Sequence, residues 1–275
     1  MPTGVKLTNE TKKNVISCYL SKPMTIKTCA EETGLSSPTV IKILDEYNVE
    51  RYRKATIYNP YLDEHYFENI DCETKAYFLG LMITDGNVFK ENSSSHRQAS
   101  ISITQHVNEA WLLQKFLCEV RANTDLGYDG RGACQAAIRS DIMAHDLEKY
   151  GVVPRKSYIT CLPTISDKYM AHLIRGVLDG DGNITSTVTK AGKHKHAISF
   201  CGSHRLMDDL SMWLNMELHV TRPVIYDYRD RNLSEVKWQS IHDVKVLGDW
   251  MYEGATIYLK RKFDAFVDFK KHYNL

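Results

Sequence analysis

Hydrophobic residues recur with helical spacing in two segments of the chain that resemble each other. The first segment is 78–88, FLGLMITDGNV, and the second is 174–184, IRGVLDGDGNI, at an offset of 96 residues. Each reads as an apolar helix with small residues four positions apart, followed by aspartate, glycine, asparagine and the start of a strand. Because positions i and i+4 lie on one helical face, the small residues predict that the two helices pack unusually closely.

Alternating polar and apolar residues follow each segment, and they predict strands with one polar face. The alternation covers 98–104 in the first half of the chain and 184–189 in the second. Each half then continues with a predicted helix, a second strand pair and a last helix, at 108–121, 125–139 and 140–150 in the first and at 204–217, 224–240 and 242–252 in the second. The chain is therefore predicted to be an α+β protein with two pseudo-symmetric αββαββα half-domains.

The N-terminal residues show a different, purely helical pattern. A helix is predicted over 8–20, and residues 24–44 read as a short helix, a glycine turn, and a serine-capped second helix with proline at its start. This arrangement resembles the helix-turn-helix of DNA-binding regulators, whose second helix enters the major groove. The residues predicted to contact DNA from that helix are Ser37, Thr39 and Lys42. A small helical bundle without a nucleic-acid role is the alternative.

These patterns divide the chain into a helix-turn-helix domain (1–54), a linker (55–71), a first half-domain (72–163) and a second half-domain (164–275). Basic residues precede the linker and are predicted to follow a DNA groove, namely Arg51, Arg53 and Lys54. The alternative is that the tyrosines of this region simply pack on the next domain.

Composition narrows the class of protein. A chain of 275 residues with 43% hydrophobic and 25% charged residues is typical of soluble globular proteins, and no run approaches the ~18 apolar residues of a membrane span. The first 14 residues show no signal peptide, and seven cysteines without a CxxC pair argue against a disulfide framework or a zinc site. We therefore expect a cytoplasmic protein, encoded by a bacterium or phage, with an organelle as the alternative. The net charge of +1 requires that any DNA-binding face gather its basic residues locally.

Two aspartates stand at the ends of the repeated helices. Asp85 and Asp181 would lie at helix C-termini, where the helix dipole disfavours anions, and close packing would also bring their like charges together. A divalent cation removes both objections, and Mg²⁺ is commonly held by one or two carboxylates with waters and substrate oxygens. The sequence thus predicts a Mg²⁺ (or Mn²⁺) site at these carboxylates, with the carbonyls of Thr84 and Gly180 as further ligands.

An alternative is that each Asp-Gly pair only forms a turn and has no role in metal binding, because Asp-Gly is a common turn dipeptide. Matching residues on both sides of both copies favour a shared site instead. Gly86 and Gly182 are expected to adopt the left-handed backbone conformation that ends many helices.

The two segments resemble the paired motif of LAGLIDADG homing endonucleases. The matching residues are Gly80, Asp85 and Gly86 in the first copy and Gly176, Asp179, Asp181 and Gly182 in the second. The first copy departs from the motif at Leu79 and Ile83, and the resemblance spans roughly 69–273. It implies a monomeric, metal-dependent enzyme that hydrolyses both strands of double-stranded DNA at a long, roughly palindromic site and leaves short 3′ overhangs. The last acid of each motif would bind the catalytic metal.

The resemblance also implies roles for three further residues. Lys156 and Lys262 end matched segments and would contact the water network of the site or the scissile phosphate, with general phosphate binding or surface charge as the alternative. Gln105 matches a position that orients water near the metal. Alignment places Gly202 at the equivalent position of the second half, so the two centres are expected to differ there.

Polar strand faces from both halves would form a continuous, DNA-binding saddle, and strands are able to read the major groove. For any single residue on such a face, solvent exposure is the plainer explanation. The candidate DNA contacts are Lys90, Arg97, Gln98, Ser100, Arg131, Gln135, Arg139, Thr185, Thr187, Thr189, Lys195, Tyr226, Tyr228, Arg229, Lys237 and Gln239.

Two functions of other classes stay open on the sequence. One is a non-catalytic DNA-binding regulator, which the helix-turn-helix pattern supports and the two aspartates oppose. The other is an RNA maturase, in which the same face would hold intron RNA.

Overall fold

The structure, a computed structural model, describes residues 7–21, 26–49, 59, 61–90, 98–156, 159–190, 192–228, 231 and 233–275. The chain divides into a first unit, residues 1–62 with 93–98, and a second unit, residues 63–92 with 99–275. Among the described residues the helices are α1 Asn9–Ser21, α2 Ile26–Thr33, α3 Ser37–Glu46, α4 Glu73–Thr84, α5 Ala110–Glu119, α6 Asp141–Glu148, α7 Met170–Asp181, α8 His204–Leu218, α9 Ile241–Tyr252 and α10 Lys260–Tyr273. The strands are β1 Gly86–Phe89, β2 Ser100–His106, β3 Gly127–Tyr128, β4 Ala133–Arg139, β5 Gly182–Val188, β6 His194–Gly202, β7 Tyr226–Tyr228 and β8 Leu233–Trp238.

Among the described residues of the first unit there are three helices, and their buried side chains share one core. Buried Val15 and Tyr19 of α1 meet Val40 and Ile43 of α3 in this core. The hydroxyl of Ser36 accepts a hydrogen bond from the Thr39 backbone N–H, which satisfies a free amide at the start of α3. The short helix, turn and capped helix predicted for 24–44 are therefore present.

The second unit is organised around two helices, α4 and α7, that cross at glycines. A Cβ placed on Gly80 would lie 2.2 Å from the Leu173 carbonyl oxygen, and one placed on Gly176 would lie 2.1 Å from the Tyr77 carbonyl oxygen. Any larger side chain would overlap the backbone of the other helix, so only glycine allows this approach. The close packing predicted from the small residues is confirmed, and we call this contact the seam.

Each half of the second unit carries one antiparallel sheet on the same plan. The strand orders are β1-β2-β4-β3 in the first sheet and β5-β6-β8-β7 in the second. Together with the helices, each half follows α-β-β-α-β-β-α, so the predicted pseudo-symmetric α+β architecture is confirmed.

The strand register shows which residues of the two sheets are equivalent. The glycine after each motif aspartate begins a strand, and Gly86 pairs with Ile103 whereas Gly182 pairs with Phe200. Two residues further along β2 and β6 stand Gln105 and Gly202. The alignment that made these two positions counterparts is therefore confirmed.

The expectation of left-handed backbone at the motif glycines is wrong. Gly182 has φ −97° and an extended conformation, and Gly86 is not among the residues of positive φ. Each helix instead runs directly into a strand. The glycines are required by space, because a Cβ on Gly86 would lie 2.5 Å from the Met82 carbonyl oxygen and one on Gly182 would lie 2.7 Å from that of Leu178.

Helix α10 was not predicted, although its residues carry a recognisable signal. Phe266 and Phe269 lie three positions apart and are buried, and they pack in a stack with centroids 6.0 Å apart.

Polar side chains also cross the seam, and the bonds described below have no equivalent in the other half. Arg175 of α7 is fully buried and donates to the Glu73 carboxylate of α4 at 2.6 Å. Glu73 additionally accepts from the Thr256 backbone N–H at 2.7 Å. On the same seam the Tyr77 hydroxyl donates to the buried Asp179 carboxylate at 2.8 Å. These bonds join the two halves into one structural unit.

The described part of the chain holds no helix with both the length and the apolar character needed to span a lipid bilayer.

Candidate active site

The two motif aspartates meet at one end of the seam. Asp85 follows the last turn of α4, where its backbone N–H donates to the Leu81 carbonyl, and Asp181 is the last residue of α7. A Cβ placed on Gly180, the residue immediately before Asp181, would lie 2.9 Å from Oδ2 of Asp85. The glycine crossing therefore brings the C-terminal ends of both helices, and with them both carboxylates, to the same place.

Burial by protein atoms raises the pKa of both carboxyls, and for Asp85 like charge adds to this effect. Burial, and after it the negative charge of Asp181, raises the pKa of half-buried Asp85 to about 6. Crowding by protein atoms also raises the pKa of Asp181, against the positive charges of Lys156 and Lys262, although its side chain stays open to solvent. A pair of carboxylates that is reachable from solvent and unfavourable when fully ionised is a natural place for a cation.

Lys156 lies near this pair and is buried. Its Nζ donates to the carbonyl oxygen of Thr84 at 3.1 Å, and burial lowers the pKa of its ammonium group, against the pull of Asp181 and Asp85. This one bond leaves two of its three N–H groups for other partners. The Thr84 carbonyl, predicted as a metal ligand, is already an acceptor for this lysine.

Lys262 occupies the equivalent position in the second half, but its ammonium group makes three hydrogen bonds where that of Lys156 makes one. Its Nζ donates to the Leu178 carbonyl, to the Asp179 carbonyl at 2.9 Å and to the Gly182 carbonyl at 2.7 Å. Burial lowers its pKa to about 8. All three of its donors are used by backbone groups at the end of α7, so in this geometry Lys262 caps the helix.

Gln105 is the last of the five predicted catalytic residues. Its side-chain amide nitrogen donates to Oδ2 of Asp85 at 2.5 Å, and this bond opposes the rise in the pKa of that carboxyl. The equivalent position in the second half is Gly202, which offers Asp181 no side chain. The two carboxylates therefore differ in their immediate partners.

The donor set fits a hard divalent cation better than a soft one. Two carboxylates with adjacent backbone carbonyls are oxygen ligands of the kind that Mg²⁺ and Mn²⁺ accept. Throughout the residues that the structure places, no group of three or more His, Cys, Asp or Glu side chains has the arrangement of a metal site. A cation at Asp85 and Asp181 would thus complete its shell with water or substrate oxygens.

The outward faces of the two sheets carry most of the described DNA-contact candidates. The register places Ser100 opposite Arg139 on the first sheet and Thr187 opposite Lys195 on the second. These residues lie on the face of each sheet that points away from the buried core. Exposed candidates on strands or in the turns beside them are Lys90, Arg131, Gln135, Arg139, Thr187, Lys195, Tyr226, Tyr228, Lys237 and Gln239, whereas Gln98, Ser100, Thr185 and Thr189 are half-buried.

In the first unit, Lys42 is exposed, and Ser37 and Thr39 are half-buried. The Thr39 hydroxyl lies 2.8 Å from that of Ser36, within the cap of α3. The remaining candidates, Arg51, Arg53, Lys54, Arg97 and Arg229, lie outside the described residues.

One polar residue on the outward face of the second sheet was missed. Glu235 shares the face of Lys237 on β8 and accepts a hydrogen bond from the Tyr228 hydroxyl at 2.7 Å. Its position two residues from Lys237 was visible in the sequence, but the predicted DNA contacts were basic, hydroxyl and amide side chains and included no acid.

Comparison with known proteins finds structures of similar fold but no similar sequence. No protein-family model and no curated protein sequence matches the chain. Solved structures with a similar fold are LAGLIDADG homing endonucleases: I-SmaMI on an uncleaved DNA target with calcium ions (TM-score 0.52, 15% identity, 71% of this chain and 89% of that chain), I-AabMI on uncleaved DNA (0.52, 13%, 72% and 89%) and I-SmaMI on cleaved DNA (0.52, 13%, 74% and 89%). The predicted resemblance is therefore confirmed at the level of the fold.

Proposed function

We propose that this protein is a site-specific endonuclease that hydrolyses both strands of double-stranded DNA with divalent metal. The observation that supports it most is the convergence of Asp85 and Asp181, from equivalent positions in two halves, at the C-terminal ends of two crossing helices. This arrangement costs free energy unless a cation is present, because it raises the pKa of both carboxyls.

The residues of the site divide the work of phosphodiester hydrolysis. Asp85 and Asp181 would hold Mg²⁺ or Mn²⁺, which activates water and stabilises the attacking and leaving oxygens. Gln105 fixes the Asp85 carboxylate through its amide and leaves its own carbonyl oxygen free to accept from water. Lys156 has two N–H groups available for a phosphate oxygen or for the water network.

The proteins of similar fold support this assignment through what was bound in their structures. I-SmaMI has been solved on an uncleaved target with calcium ions and also with cleaved DNA. A shared fold with these enzymes, combined with acids at both motif positions, favours a nuclease over a regulator built on the same scaffold.

DNA would lie along the outward sheet faces, with polar side chains reading the major groove. The first unit would add recognition length through α3, with Lys42 as its exposed basic residue. A monomer is sufficient for both cuts, because one chain carries both halves.

The proposal is tested on DNA that spans the insertion site of the gene, with and without Mg²⁺. We expect double-strand cuts that need the metal and that Asp85→Asn or Asp181→Asn abolishes while leaving DNA binding intact. Asp268→Asn, a change of the same kind at an exposed position of α10, should cleave like the wild type. Tight binding without cuts under any divalent metal would instead indicate a regulator, and metal-dependent folding of intron RNA in place of DNA cleavage would indicate a maturase.

A further inference from the structure

Next to the site in the first half, two polar residues face each other across neighbouring strands. Gly86, the residue after Asp85, pairs with Ile103, and the next residue of β2 is Thr104, whose cross-strand partner is Gln135 of β4. Thr104 and Gln135 are both exposed, on the face opposite to the buried isoleucine. The Gln135 amide nitrogen donates to the Thr104 hydroxyl at 3.2 Å.

The second half repeats this geometry with different chemistry. Gly182 pairs with Phe200, and the next residue of β6 is Cys201, whose partner across the sheet is Glu235 of β8. Glu235 is thus the register counterpart of Gln135, so an acid stands where the first half has an amide. The Glu235 carboxylate is held in place by the Tyr228 hydroxyl at 2.7 Å.

Both positions lie one residue along the sheet from the carboxylate site. Gln105 follows Thr104 on β2 and donates to Asp85, with its side chain on the other face of the strand. In the second half, burial and then the negative charges of Glu235 and Asp181 raise the pKa of the Cys201 thiol, so both acids are close to the same sulfur. A DNA duplex whose phosphates reach these aspartates would therefore present its nearest base edges to Gln135 and Glu235.

An acid on a DNA-binding face needs a specific reason, because phosphates repel it. A carboxylate is favourable in the major groove where it accepts from the N4 amino group of cytosine, whereas a glutamine amide matches the N6 and N7 atoms of adenine. The Tyr228 bond leaves the other carboxylate oxygen of Glu235 free to accept such a donor.

We propose that Gln135 and Glu235 read the base pairs beside the two cleavage positions differently, Gln135 selecting adenine and Glu235 selecting cytosine. The target would then depart from palindromic symmetry at this one pair of equivalent positions. The inference rests on the proposed function, since it needs DNA along the outward sheet faces.

The test is selection of cleaved duplexes from a library randomised around the insertion-site sequence, followed by sequencing. The full-length wild type should select adenine at the first position and cytosine at the second. Glu235→Gln should replace cytosine by adenine at the second position alone, and Gln135→Glu should do the reverse at the first. A correct contact favours its base by about 5- to 150-fold, which sets the size of the change expected at each position.

Three controls make the outcome decisive. Tyr228→Phe should weaken the preference for cytosine without installing adenine, because it releases Glu235 and leaves the carboxylate itself in place. Glu253→Gln, the same chemical change at an exposed residue after α9, should leave the selected sequence unchanged. Thermal midpoints equal to that of the wild type confirm that the variants are folded.

The possible failures are distinguishable. A library from which the wild type cleaves nothing contradicts the proposed endonuclease. A defined target whose bases are the same for wild type, Glu235→Gln and Gln135→Glu overturns the base-reading inference and leaves the nuclease standing.

Discussion

The raised pKa of the Asp85 carboxyl has a direct consequence for the stability of the protein. The pKa of this carboxyl rises from 3.8 to about 6 in the folded protein, so folding takes up a proton between these values and stability falls as pH rises through that window. We expect Asp85→Asn to stabilise the metal-free protein at pH 7.5 by at most about 3 kcal/mol, the free energy equivalent of this change in pKa. At pH 3.5 the benefit should fall to roughly a few tenths of a kcal/mol, because the wild-type carboxyl is then mostly protonated in both states.

Urea unfolding at the two pH values, in a chelating buffer, measures this difference. Saturating Mg²⁺ should reverse the order at pH 7.5, since the cation stabilises the ionised wild-type site and not the amide. An Asn variant that is less stable than the wild type at pH 7.5 without metal would contradict the assignment.

Replacing each of the two buried lysines by methionine should affect the stability of the protein to different extents. Lys262→Met leaves three backbone carbonyls at the end of α7 without a donor, so we expect a loss of at least about 2 kcal/mol in the free energy of unfolding. Lys156→Met leaves only the Thr84 carbonyl and should change stability by less than about 1 kcal/mol. Cleavage should fall in both variants.

Unfolding in urea and single-turnover cleavage on the same preparations distinguish the two roles. A Lys156 variant that is as unstable as the Lys262 variant would show that both lysines are helix caps. The contrast matters because the sequence presents them as equivalent ends of matched segments.

At the scale of elements, the crossing of α4 and α7 positions the site. In Gly80→Ala the new methyl group would overlap the Leu173 carbonyl, so the helices must separate and carry the two aspartates apart. We expect a destabilisation of about 2 kcal/mol or more, despite the better helix propensity of alanine, and weaker Mn²⁺ binding by calorimetry.

Gly127→Ala is the matched control for this substitution. The nearest atom to its added Cβ is the Gln135 carbonyl oxygen at 3.8 Å, an ordinary contact, and its backbone φ is not positive. Stability and Mn²⁺ affinity equal to those of the wild type are expected. If Gly80→Ala also bound Mn²⁺ normally, the seam would not set the distance between the carboxylates.

Elements with strong local patterns were predictable, and the contacts between them were not. The apolar repeats gave both motif helices, and alternation gave β2 and β5, because these signals are local and periodic. The Asp-Gly pairs were misinterpreted, since the same dipeptide suits a left-handed turn and a helix that runs straight into a strand. The burial of Lys156 and Lys262 and the orientation of Glu235 depend on tertiary contacts, which spacing along the chain does not encode.

At the scale of the second unit, the polar bonds of the seam should make both halves unfold together. Glu73→Ala would leave Arg175 buried without its counter-charge, and removal of one partner from such a pair costs about 3 kcal/mol or more. Hydrogen exchange should therefore accelerate equally in β4 of the first half and β8 of the second. Glu148→Ala, which breaks only an exposed pair with His145, should leave both strands protected.

Acceleration confined to one half would contradict this prediction and show that the halves are separate cooperative units. The loop that carries Thr256 gives a further readout, because its amide loses the Glu73 acceptor and should exchange at once.

The unequal partners across the seam also bear on how such a chain can arise and be rebuilt. The position of Arg175 is taken by Leu79 in the first half, and that of Tyr77 by Leu173 in the second. A homodimer made from two copies of the second half would bury two arginines and two Asp179 carboxylates without Glu73 or Tyr77 to receive them. If an ancestral gene was duplicated, the daughters have since become complementary rather than interchangeable, and each now folds against the sequence of its sibling.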